Sequence, residues 1–427
     1  MRTHPDRVAG PSEATPRGKV ATALQRPFVS LQFRDYRLLW LGQLCTSMGQ
    51  WMDQVARGWL VYDLTGSPFL LGAVTATRAL PLLFFGVLAG VVADRFGRKS
   101  QLIISQIGNG LINLLLAILV LTHHVEVWHV FATGFVAGTL QAFQQPARQA
   151  LISDLVGERH IMNAVALNSA VLNLSRSIGP AVAGYLIAWV GSDGSYFAQS
   201  LIYFVATIWT FQMRVPKKSL AQERNREESL LAGLQEGFRY IRNNETVLML
   251  LVLALVPLLL GQPYSSLLPV FAKEVLSIGA QGLGFLYTAA GLGALIGALY
   301  IAAAGHFQHQ GRLLLGGAGL FGVGLVGLSL SSWLPISLAC LAIIGFANTS
   351  YNALANAILQ TGTPPELRGR VLSVYLLNRG LVPLGTLFAG TLATLFHTPI
   401  AIGVMGTACA LLALGAGLRV PALWELE

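Results

Sequence analysis

The stretch Gly90-Val-Val-Ala-Asp94-Arg95-Phe-Gly97-Arg98-Lys99 sets four charges close together between two long apolar runs. Residues 69–93 lead into it with a single charge, Arg78, before Asp94, and residues 101–122 leave it with none. A bilayer is crossed by about 20 apolar residues in a helix. The stretch therefore reads as a short link at a membrane surface, joining two spanning segments.

The rest of the chain extends that reading. Only 11% of the 427 residues are charged, and the mean hydropathy is +0.61. A water-soluble domain carries about 25% charged residues, so lipid is the natural solvent here. The formal charge of +9 lies between apolar runs and not in one soluble patch, which argues against nucleic acid as a partner. Backbone groups in lipid must bond within the protein, so the runs are helices. Expected spans are 38–62, 69–93, 101–122, 127–148, 164–190, 194–213, 247–271, 280–304, 313–331, 334–358, 371–395 and 398–419. This is an all-α membrane protein of twelve transmembrane helices.

Charge orients the spans. With both termini cytoplasmic, the inner segments hold 23 of the 28 Lys and Arg residues and the outer loops hold one, Lys273. Arg57, Arg78, Arg176 and Arg379 remain inside spans. Residues 1–30 read as a disordered cytoplasmic tail without a cleavable leader. The bundles expected at 31–213 and 247–420 flank a linker, 214–246, and 421–427 forms a second tail. Within the linker Leu230, Leu234, Phe238 and Ile241 recur at helical spacing opposite Glu236, Arg239 and Arg242, the pattern of an amphipathic helix on the membrane surface. Cys45, Cys340 and Cys409 lie in apolar stretches as small buried hydrophobes.

The two halves repeat each other. Arg176-Ser-Ile-Gly-Pro180-Ala-Val-Ala-Gly184 parallels Arg379-Gly-Leu-Val-Pro383-Leu-Gly-Thr-Leu-Phe-Ala-Gly390, half a chain away. Leu71-Gly72 matches Leu283-Gly284, and Arg98 matches Arg312. Duplicated six-helix units predict two pseudo-symmetric bundles.

The opening stretch resembles the G-x-x-x-D-R-x-G-R-[RK] signature of the major facilitator superfamily, at the family's own position between spans two and three. Gly49-Gln-Trp51-Met-Asp53-Gln-Val-Ala-Arg57, Thr65-Gly-Ser-Pro68, Gln145-Pro-Ala-Arg148 and Arg368-Gly-Arg370-Val-Leu-Ser are similar to the bacterial branch that includes the enterobactin exporter and macrolide-efflux proteins. The resemblance implies a conformational latch built from Gly90, Asp94, Arg95, Gly97, Arg98 and Lys99, holding the halves in an outward-open state. Gly90 would admit a close helix, Gly97 a tight turn, and Asp94 would face a helix N-terminus. A partner for it is the start of span eleven, where Thr363-Pro-Pro-Glu366 reads as a capping box.

Asp53 is the acidic residue near the middle of a span, and Arg57 follows it on the same helical face. Burial favours the protonated form of such a carboxylate and a neighbouring guanidinium favours the charged one. The pair either carries a proton or fixes helix packing. Arg78, Arg176 and Arg379 either line a central cavity or bond to backbone carbonyls. Three or four buried cations against one acid suggest a positive cavity suited to anionic or polar-acidic cargo. Trp51, Trp59, Tyr203, Phe204, Tyr264, Tyr287 and Tyr351 offer aromatic surface, each with packing as its commoner role.

The expectation is a secondary exporter of small organic molecules in the bacterial inner membrane, working as a monomer by proton antiport and alternating access. It is not an enzyme, and it uses no cofactor or metal; its partners are substrate, protons and lipid. A lysophospholipid flippase and a non-transporting sensor are the alternatives. Asp53→Asn is expected to abolish proton-coupled transport while folding stays intact.

Overall fold

The computed structural model describes residues 26–95, 97–215, 244–304, 309–361 and 378–419, together with isolated positions within 239–242 and 363–375. Helices account for nearly all of these residues, and no strand occurs among them. They are α1 (Arg34–Thr65), α2 (Pro68–Arg95), α3 (Arg98–Leu121), α4 (Val127–Val156) and α5 (Ile161–Gln212) in the first half. In the second half they are α6 (Glu245–Val256), α7 (Gly279–Ala304), α8 (Gln310–Ser329), α9 (Leu334–Thr361), α10 (Val382–Phe396) and α11 (Thr398–Arg419).

Local chemistry explains the breaks. Gly66, at φ 60°, ends α1 in the left-handed region and returns its N–H to the Tyr62 carbonyl at 2.8 Å. Helix α5 bends at Gly191, whose φ 79° and ψ 174° suit glycine alone. Its two arms correspond to the spans expected at 164–190 and 194–213. Beyond Val256, α6 continues through a π-helical turn at Pro257–Gly261, a helical stretch Tyr264–Val270 and a second π turn, Phe271–Val275. Pro257, Pro263 and Pro269 each withhold a backbone N–H and so disturb the i→i−4 ladder there.

Seven segments among the described residues are long and apolar enough to cross a bilayer. Helices α1 and α4 fall short of that standard because they turn polar residues inward. Gln43, Thr46, Ser47, Asp53 and Arg57 of α1 are buried, as are Thr133, Gln144 and Arg148 of α4. The outward faces are the reverse: Leu111, Leu115 and Ile118 of α3 and Leu411, Leu414 and Leu418 of α11 are exposed. Trp128, Trp189 and Trp333 are exposed at helix ends, the usual place of indoles at a membrane surface. The protein is a multi-pass membrane protein.

The helix ends fall into two sets, a basic end carrying Arg98, Lys99 and Arg312 and a charge-poor end carrying Gly66, Gly191 and Lys273. Helices run beyond the expected spans mainly at the basic end, as where α4 reaches Val156 and not residue 148. Hydropathy marks only the lipid-matched part of a helix. The tail expected over 1–30 also ends sooner. A 3-10 helix covers Arg26–Gln32, and the backbone N–H of the buried Ser30 donates to Asn163 Oδ1 at 3.0 Å. Of the linker's amphipathic pattern, Leu230, Leu234, Phe238 and Glu236 lie outside the described residues. Ile241 is buried beside Val247 and Leu250, while Arg239 and Arg242 are exposed.

Candidate functional site

The halves meet through small residues. A Cβ on Gly72 of α2 would strike the Thr386 carbonyl of α10, and one on Gly390 would stand 2.8 Å from the Pro68 carbonyl. In the counterpart pair, a Cβ on Gly184 of α5 would lie 2.7 Å from the Ala280 carbonyl, and one on Gly284 of α7 would lie 2.8 Å from that of Pro180. Backbone thus lies against backbone, which only residues without a Cβ allow. The repeats read from the sequence, span two with eight and span five with eleven, therefore cross-pair: α2 packs on α10 and α7 on α5.

Polar contacts join the halves at the same charge-poor end. The Tyr62 hydroxyl bonds the Glu274 carboxylate. Lys273 Nζ bonds Asp63 Oδ1 at 2.8 Å and lies 5.7 Å from the Trp59 ring centroid and 5.6 Å from that of Tyr62. The Lys273–Asp63 pair is open to water, with side-chain exposures of 42% and 60%, so it contributes about 0–1 kcal/mol. Tyr62 is buried, and its bond to a carboxylate is worth about 1.5–3 kcal/mol. Tyr62→Phe is therefore expected to lower stability in denaturant titrations more than Lys273→Ala does. Equal losses would show that burial does not separate the two contacts.

Deeper in the first half lies a closed charge cluster. Asp53 Oδ1 accepts from Arg57 Nη2 at 3.0 Å. Asp53 Oδ2 accepts from Arg57 Nε at 3.2 Å and from Arg78 Nη1 at 2.5 Å. Arg57 Nη1 also donates to the Val130 carbonyl and Thr133 Oγ1, each at 2.9 Å. Asp53 and Arg57 are buried, while the Arg78 side chain is 20% exposed. Helices α1, α2 and α4 are thereby tied by one carboxylate and two guanidiniums.

The remaining expected residues divide. Arg176 belongs to α5 and lies over the Trp51 ring, 5.6 Å from its centroid. The side chain of Arg379 lies outside the described residues, as do those of Gly90, Asp94 and Arg95, and Glu366 is outside them altogether. Thr363 of the expected capping box donates to the Leu359 carbonyl at 2.6 Å, closing the preceding helix. Arg98 Nη1 bonds Asp154 Oδ2 at 2.5 Å, and Lys99 Nζ bonds the carbonyls of Phe211 and Met213, each at 2.8 Å. These two basic groups bind ends of α4 and α5 within their own half. Gly97 adopts φ −56° and ψ 114°, a conformation open to any residue, so the tight turn expected there does not require glycine. Among the aromatics, Tyr203, Tyr264, Tyr287 and Tyr351 are buried, and Tyr287 donates to the Ser265 carbonyl at 2.6 Å.

Arg148 is one of the 23 cationic residues assigned above to the inner segments, at the very edge of the span expected at 127–148. It is buried in α4, with Nη2 donating to Thr46 Oγ1 at 3.0 Å and Nε without a partner. Gln106, Asn109 and Asn113 of α3 and Gln199 of α5 are buried as well. Their helical spacing within otherwise apolar runs was the available signal.

The comparisons agree with this geometry. Among solved structures, a peptide transporter superposes with TM-score 0.73 at 11% identity, covering 92% of this chain and 95% of that one. A bacterial homologue of the human lysosomal transporter Spinster superposes with TM-score 0.72 at 14% identity, covering 92% and 97%. These establish the fold. In sequence, the chain is similar to a staphyloferrin A transporter of Staphylococcus aureus, 25% identical over 84% of this chain and 89% of the relative. It is also similar to the multidrug efflux pump Tap of Mycolicibacterium fortuitum, 28% identical over 83% and 88%. Macrolide efflux protein A of Streptococcus pyogenes is 26% identical over 79% and 83%. The model of the family described as transmembrane secretion effector matches residues 25–426, and the chain belongs to that family, in the efflux branch of the major facilitator transporters.

Proposed function

We propose that this transporter exports small organic molecules across the bacterial inner membrane by alternating access, with protons moving inward in exchange. The observation that carries the proposal is the crossed pair of backbone contacts, Gly72 with Thr386 and Gly184 with Ala280. Two glycine-lined seams related by the internal repeat can part and close as rigid bodies. Twelve spans fit this arrangement if each arm of α5 and the whole stretch 245–275 cross once. The bundles are then 31–213 and 247–420, joined by 214–246, with both termini cytoplasmic and the chain acting as a monomer. The charge-poor end is then periplasmic, and the conformation described here is closed on that side. The motif Gly90 to Lys99, through Asp94, would hold the opposite end when the periplasmic seams part.

Coupling is proposed at Asp53. Both its oxygens are occupied while Arg57 and Arg78 are bonded. Two positive guanidiniums oppose a proton on this carboxylate, so protonation is favoured as one of them leaves, and Arg78 is the one that reaches a more open environment. Exchange of Arg78 for a proton would change what α2 presents at its seam with α10, linking charge to the conformational equilibrium.

Proteoliposomes with an imposed pH gradient test the function directly. Gradient-dependent movement of a siderophore, macrolide or dye is the expected result. Movement of lysophospholipid alone would make the protein a flippase. No flux of any class under any gradient would make it a sensor.

A further inference from the structure

Arg57 shows what a structurally employed arginine looks like here: Nε, Nη1 and Nη2 all donate to carboxylate, carbonyl or hydroxyl. Arg176 is the opposite case. Its guanidinium has no hydrogen bond and no ion pair among the described residues, and its one contact of note is the face of Trp51. A guanidinium carries five N–H donors, and an aromatic face satisfies none of them. Arg176 is partly exposed, so its donors face space that water or a counter-ion can enter, as a cation at this depth in a membrane protein requires.

Its position is also unusual. On one side α5 lies against α1, where a Cβ on Gly179 would stand 2.8 Å from Trp51 Cβ. On the other it lies against α7, where a Cβ on Gly291 would stand 2.9 Å from the Arg176 carbonyl. Tyr264, from the stretch that continues α6, is near enough for its hydroxyl to be felt by the Arg176 charge, and no carboxylate forms an ion pair with Arg176 among the described residues. Arg176 thus stands at the junction of the two halves with an indole behind it, a phenol of the other half near it, and its donors unused.

We propose that Arg176 binds a carboxylate of the transported molecule, and that the preferred cargo is an organic anion bearing an aromatic ring. A planar guanidinium pairs with a carboxylate through two parallel bonds, and Trp51 and Tyr264 provide surface for the ring. An anion held there would touch both halves. This rests on the transporter reading above and names the substrate class of its path.

The test uses purified full-length protein in nanodiscs and two dyes of one ring system, anionic carboxyfluorescein and cationic rhodamine 123, followed by fluorescence anisotropy. Wild type is expected to bind carboxyfluorescein more tightly. Arg176→Gln should weaken that binding on the order of tenfold or more, the usual effect of losing a charge-assisted bond, and leave rhodamine 123 unchanged. Arg176→Lys should fall between. In wild type, benzoate should displace carboxyfluorescein and benzamide should not, a readout independent of how the variants fold. The proposal is overturned if wild type does not bind carboxyfluorescein, if Arg176→Gln binds it equally, if both dyes weaken together, or if benzamide competes as well as benzoate. The two readings fail separately. Binding without flux in vesicles removes the exporter and leaves the site. Flux of carboxyfluorescein that survives Arg176→Gln removes the site and leaves the exporter.

Discussion

Asp53→Asn is expected to destabilise the protein by about 3–5 kcal/mol, the usual consequence of removing one partner from a buried ion pair. The carboxylate serves two guanidiniums at 2.5 to 3.2 Å. A neutral amide supplies one acceptor oxygen in place of two charged ones, and its NH₂ faces donors. Arg57 would keep its bonds to Val130 and Thr133, but its charge would be left uncompensated in the interior. This revises the sequence-based expectation that the substitution leaves folding intact, because the sequence indicated Arg57 as a partner and did not indicate Arg78. The double variant Asp53→Leu/Arg57→Leu is expected to be less damaging than Asp53→Asn. It removes the buried cation as well as the anion, and Arg78, already 20% exposed, can turn toward water. Thermal and denaturant unfolding in detergent compares the three chains. Asp53→Asn as stable as the parent would mean that the cluster is hydrated and not a buried network.

The second large effect is steric. Gly72→Ala adds a single carbon, which would collide with the Thr386 carbonyl. The obstacle is backbone, not the flexible end of a side chain, so relief requires α2 and α10 to separate. Overpacking of this kind costs about 1–3 kcal/mol. Applied to an equilibrium between closed and open seams, that moves the population ratio on the order of tenfold. A membrane-impermeant maleimide reports the change at Ser67→Cys, placed in a chain whose Cys45, Cys340 and Cys409 have been replaced. Labelling should accelerate in Gly72→Ala and likewise in Gly284→Ala. Gly316→Ala is the control, because a Cβ there has nothing within 4 Å. Labelling rates that match the control would show that the seams tolerate the carbon and do not set the opening of this end.

The two predictions mark different depths of legibility. Gly72 and Gly284 were visible in the sequence as matching positions of the repeat. That they meet Gly390 and Gly184 across the halves was not, since similarity relates like segments and contact joins unlike ones. Asp53 and Arg57 were visible because they are four apart on one helix, where geometry is local. Arg78 is 25 residues from Asp53 on another helix, and only packing brings it to Asp53 Oδ2. Arg148 was missed for a related reason. A charge near the end of an apolar run looks like a loop residue until the helix is seen to continue to Val156.

The sequence by itself determined the solvent, the helical class and the family, because these follow from averages and short-range pattern: scarce charge, apolar runs of membrane length, and the charged link at Asp94 to Lys99. Tertiary structure decided which charges are satisfied and which stand free. Arg57, Arg78 and Arg176 are alike as letters inside apolar runs. They differ because hydrogen bonds reach only a few ångströms, and the groups within reach of each are set by neighbouring helices distant in the chain.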